Sequence, residues 1–116
     1  MSNMMTAAVY HALDDIRIEQ RPVPEIGPND VLLKTLACGL CGGETMAWYK
    51  KSQLKVLGHE PIGEVVEVGA NVTDYKIGER LFVNHHVGRV QSHLSLRGRF
   101  TRDPYYSSMK LNPGGV

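Results

Sequence analysis

The chain has 116 residues, the size of one domain, and its 42% hydrophobic content suits a packed core rather than a disordered segment. Thirteen basic against twelve acidic residues leave a net charge of +1, which excludes a strong field for nucleic acid or membrane surfaces. No apolar run approaches the ~20 residues of a membrane span, the opening MSNMMTAAVY lacks the marks of a secretory leader, and two cysteines make no disulfide framework, so a cytoplasmic domain is expected.

In chain order the pattern is mostly β. Thr6 to Tyr10 is short and apolar, and Ile16 to Gln20 alternates apolar with polar, the period of a half-buried strand. Pro22, Pro24 and Pro28 then interrupt regular pairing, and residues 26–30 (IGPND) read as a turn. Val31 to Cys38 is a longer apolar run that predicts a buried strand. Glu44 to Lys51 is the best helical window. Gly63 to Gly69 (GEVVEVG) and Leu81 to Val83 predict two further strands. The charge is uneven: residues 1–88 hold eight basic and eleven acidic residues, residues 89–116 five basic and one acidic. Residues 87–104, with few β-branched side chains, predict an irregular lobe. The chain contains no Gly-x-Gly-x-x-Gly between a strand and a helix, so no dinucleotide fold is expected within it.

Two clusters carry metal-ligand chemistry. Cys38-Gly39-Leu40-Cys41 is a C-x2-C pair, which by itself fits half a zinc site, a redox pair or two small buried apolar residues. Gly58-His59-Glu60 is the second. A Cys and a His, each beyond a short apolar strand and beside glycine, suit a borderline-soft metal. Pro61 forces Glu60 toward extended backbone, which predicts His59 and Glu60 on opposite sides of the chain.

Gly58-His59-Glu60-Pro61-Ile62-Gly63, followed by Gly69 and Val72, resembles the zinc-site signature of the medium-chain, zinc-containing alcohol dehydrogenases. Residues 6–44 and 72–83 (VTDYKIGERLFV) are also similar to that family, most of all to its polyol, threonine and secondary-alcohol branch. The resemblance implies a mainly β, GroES-like, partly open β-barrel with one or two short helices, spanning residues 1–116, with 87–104 as its lobe. It implies zinc held by Cys41 and His59, with Glu60 beside the metal, Glu44 as the carboxylate that orients the histidine, and Trp48 in the substrate pocket. It further implies a small alcohol or polyol substrate and NAD or NADP as hydride acceptor.

Three departures from the family pattern stand out. Gly43 and Met46 occupy positions where many members carry a hydroxyl and a histidine that relay a proton. The lobe positions of a four-cysteine structural zinc are Arg89, Ser92, Ser95 and Asp103, and His85, His86 and His93 match no four-ligand spacing, so no structural zinc is expected there. The arginines of the lobe, interleaved with Phe100, Tyr105 and Tyr106, predict a solvated surface rather than a nucleic-acid site. The family's Rossmann domain has no counterpart in these 116 residues. The chain by itself is therefore expected to be inactive and to self-associate through uncovered apolar surface. The contrasting reading is a stand-alone GroES-like folding or interaction module with a vestigial metal site.

Overall fold

The computed structural model describes residues 3–47, 56–84, 92–99 and 102. β1 (Met4–Ala12) and β2 (Asp15–Pro22) form an antiparallel hairpin, with a register shift between Tyr10 and Ala12. β3 (Val31–Gly39), β4 (Glu60–Val68) and β5 (Arg80–Phe82) form a second antiparallel sheet in the order β3-β4-β5. A 3-10 helix, Gly42–Thr45, follows β3, and a one-turn helix, α1 (His93–Leu96), lies in the lobe. Two open sheets with short helices are the mainly β, partly open GroES-like fold that the resemblance implied.

Alternation sets which strand positions are buried. Ala7 and Val9 point inward from β1, and Pro61, Gly63 and Val65 are buried at every second position of β4. Val9 and Val65 are fully buried, and Leu57 packs with them as buried apolar core. Burying one valine fully stabilises by about 1.5–3 kcal/mol, so these few side chains carry much of the apolar stabilisation among the described residues. An isolated bridge between Val9 and Val56 pins the segment before His59 to β1. The 26–30 turn forms as expected: Asp30 N–H donates to the Gly27 carbonyl at 3.3 Å and Gly27 N–H to Asp30 Oδ2 at 2.9 Å. Beyond β4, Gly69 N–H donates to the Asp30 carbonyl and Asn71 N–H to the Pro28 carbonyl, both at 2.8 Å, which ties this turn to the end of the sheet.

Two expectations need correction. β3 is not a buried strand: Val31 to Leu33 are half-buried and Lys34 to Ala37 exposed. Among the described strands it pairs with β4 alone, and register shifts at Leu32/Leu33 and Thr35/Ala37 break its alternation. The predicted helical window is occupied at its start by the 3-10 helix, which begins at Gly42, before Glu44; residues 48–51 lie outside the described residues. Exposed apolar side chains are numerous, including Ile18 at 72%, Ile77 at 68% and Phe82 at 67%. Among the described residues no helix is long and apolar enough to cross a membrane.

Candidate metal centre

The two ligand clusters meet at one end of the β3–β4 pair. Cys41 lies two residues past β3, in extended backbone (φ −69°, ψ 143°), and leads into the 3-10 helix. Glu44 N–H donates to the Cys41 carbonyl at 2.9 Å, and Thr45 Oγ1 donates to the Gly42 carbonyl at 2.7 Å, so this turn is held by its own polar groups. On the other side, Gly58 has φ +94°, a left-handed conformation that only glycine adopts without strain. That turn breaks the strand before His59, so strict alternation starts at Glu60 and does not govern the pair. His59 and Glu60 therefore do not point to opposite sides as expected. One ligand atom each of Cys41, His59 and Glu60 all lie within 4.8 Å of one another.

Glu44 joins the clusters. Its carboxylate is buried, at 3% exposure, and it accepts from the backbone N–H of Gly58 at 2.6 Å, of Cys41 at 3.3 Å and of His59 at 3.4 Å. His59 Nδ1 lies 3.2 Å from Glu44 Oε1. A carboxylate only accepts, so a proton on Nδ1 would face Glu44 and leave the Nε2 lone pair for a metal. A buried carboxylate is tolerated where several donors surround it, and here three backbone amides converge, with the His59 ring beside them. Glu44 sits three residues after Cys41, the spacing at which a side chain reaches back to the cap backbone. The sequence suggested its contact with His59 but carried no sign of its bond to Gly58.

The donor set fits zinc. A thiolate, an imidazole and a carboxylate are the common zinc ligands, and three of them with one open position is the catalytic type. Tetrahedral bonds of the usual length put ligand atoms roughly 3.3–3.8 Å apart, so a separation bounded by 4.8 Å needs a contraction of at most about 1.5 Å. Cys38, at the strand end, donates to the Gly39 carbonyl at 3.4 Å and is outside this trio. Trp48 lies outside the described residues.

In the lobe, the structure describes Ser92 and Ser95, two of the four positions that the resemblance matched to a structural zinc. Both are buried, and Ser92 Oγ accepts from Ser95 N–H at 3.4 Å as the N-cap of α1. The expectation of an irregular lobe missed this helix, because four residues are too few for a periodic signal and only the cap serine marks it. Arg89 and Asp103 lie outside the described residues.

Residues 27–115 match the family model for the alcohol dehydrogenase GroES-like domain. Sorbitol dehydrogenase of Gallus gallus is 38% identical over 105 residues, covering 84% of this chain and 30% of that protein. L-threonine 3-dehydrogenase of Chelativorans sp. (strain BNC1) is 37% identical over 113 residues, covering 89% of this chain and 33% of that protein. A solved dehydrogenase from Sinorhizobium meliloti 1021, described as zinc-binding and bound to NADP, superposes with a TM-score of 0.71 at 30% identity, covering 86% of this chain and 30% of its own. The chain thus spans about a third of the length of the curated relatives it matches. The family model that matches residues 27–115, more than half of the chain, shows that the chain belongs to the alcohol dehydrogenase GroES-like domain family.

Proposed function

We propose that this chain is the metal-holding catalytic domain of a zinc-dependent, NAD(P)-linked alcohol or polyol dehydrogenase. The observation that supports this most is the convergence of Cys41, His59 and Glu60 in front of the buried Glu44 carboxylate. In that reading Cys41, His59 and Glu60 bind zinc. Zinc supplies Lewis acidity, which lowers the pKa of an alcohol hydroxyl. Hydride transfer then requires a nicotinamide held against the alcohol carbon. Glu44 keeps the proton of His59 on Nδ1 and holds both ligand segments. Gly43 and Met46 carry no group that passes a proton, so the alcohol proton leaves through water or a substrate hydroxyl. Sorbitol and threonine dehydrogenases among the relatives, and the NADP of the solved neighbour, support a small hydroxylated substrate and a nicotinamide. The absence of a disulfide at Cys38 and Cys41 is consistent with a reducing, cytoplasmic setting.

The chain prepared without chelator should carry between zero and one zinc. Cys41→Ser should remove what zinc there is. The isolated chain should oxidise no alcohol with either nicotinamide. Zinc that survives Cys41→Ser overturns the assignment of the site, and two zinc ions per chain overturn the reading of the lobe.

A further inference from the structure

Gly39 ends β3 and is the direct cross-strand partner of Glu60, the first residue of β4. A Cβ at position 39 would lie 3.0 Å from Glu60 Oε2 and 3.5 Å from Glu60 Cβ. The Glu60 side chain is therefore folded across the strand end, over the bare Cα of Gly39. From there its carboxylate comes within 4.8 Å of the ligand atoms of Cys41 and His59. The backbone gives no other reason for glycine at this position. Among the described residues positive φ occurs at Gly58, Gly78 and Gly98, and Gly39 is exposed.

The neighbours of other glycines make the contrast. A Cβ at Gly63 would meet the Lys34 carbonyl oxygen at 2.8 Å, and one at Gly69 would meet the Gly27 carbonyl oxygen at 2.4 Å. There the backbone itself must move. At Gly39 the nearest atom is the far end of a flexible side chain, so the crowding is relieved by turning Glu60 away and leaving the strands paired.

We propose that Gly39 is a positioning residue: the missing side chain leaves the space into which the Glu60 carboxylate folds toward Cys41 and His59, so position 39 decides whether that carboxylate reaches a metal. The inference rests on the metal-site reading above. It adds that the glycine of the C-x2-C pair serves the third ligand, on the neighbouring strand, rather than either cysteine.

The test is cobalt(II) binding to the 116-residue chain, followed through its thiolate-to-metal charge-transfer band and its d–d bands. Four proteins are compared: the unchanged chain, Gly39→Ala, Glu60→Ala and the double variant. Gly39→Ala and Glu60→Ala should each weaken cobalt binding about 10-fold, with the thiolate band retained. Adding Gly39→Ala to Glu60→Ala should weaken it no further, because the carboxylate through which position 39 acts is already gone. Wild-type affinity in Gly39→Ala overturns the inference. So does an equal loss in both backgrounds, or loss of the thiolate band in Gly39→Ala, since the alanine then acts on the fold or on Cys41. If the unchanged chain binds no cobalt, the metal-site reading falls with it; if it binds and Gly39→Ala is unaffected, only the role of Gly39 falls.

Discussion

Glu44 and Glu19 each face a histidine, but they belong to opposite kinds of environment. Glu44 is buried, spans 14 residues to Gly58, and takes three backbone N–H groups together with the ring of His59. Glu19 lies on the hairpin, pairs with His11 across the strands and with Arg21 two residues on, and leaves its donors in contact with water. The first is an organising group for a site. The second is one member of a solvated surface cluster with Arg17 and Asp15. The same acid–imidazole pairing thus fixes backbone in one place and decorates a strand in the other. The difference is the burial and the number of backbone donors, not the pair itself.

The largest effect that separates the two should come from Glu44→Ala. It strands the Gly58 and His59 amides in a buried setting, where each unsatisfied group costs about 1–3 kcal/mol. We expect a loss of about 3 kcal/mol in denaturant unfolding, and a loss near zero would show that water replaces the carboxylate. A smaller effect is expected from Glu44→Asp, which keeps the carboxylate. An aspartate is one methylene short, so it should keep either the Gly58 bond or the reach to Cys41. Zinc or cobalt affinity should then fall about 10-fold while the fold persists; unchanged affinity would mean that the extra methylene has no purpose here.

The smallest effect belongs to the hairpin. The side-chain bond from His11, then the Arg21 charge, holds the Glu19 carboxyl below the usual carboxylate range, and the bond from Arg17 does the same for Asp15. Lowered in the folded state, these groups add stability that is present above their unfolded pKa and lost as pH falls through the folded values. The window therefore lies below about pH 4. Glu19→Gln should therefore lower the unfolding midpoint slightly at pH 7, and the difference from the unchanged chain should close as pH falls through that acid window. A clear loss at pH 7 that persists in 1 M salt would place Glu19 in the same class as Glu44.

The strands and the candidate ligand pair Cys41 and His59 were legible in the sequence; what covers or bends the strands was not. The alternation of Ile16 and Ile18 located β2, yet both are exposed, at 52% and 72%. Period gives the faces of a strand but not the presence of a neighbour to cover one of them. β3 failed for the same reason, its apolar run lying on an edge. Cys41 and His59 stood out as candidates through the family resemblance, since the C-x2-C pair alone fits three readings. Their convergence with Glu60 was not legible, because it depends on one left-handed residue, Gly58, which suspends the alternation on which the expectation relied. The α1 turn was hidden because its evidence is a single capping serine.

The bridge between Val9 and Val56 has a consequence for how the site is made. It closes a loop of 47 residues, against the 14 that separate Glu44 from Gly58. By the logarithmic cost of loop closure the longer contact is dearer by only about 1 kcal/mol, so the two can form in either order. Both ends of both contacts, and all three ligands, lie between residues 9 and 60. On a ribosome the cradle is therefore completely specified once Glu60 has been added, about halfway through this chain, while β5 and the lobe are still to be translated.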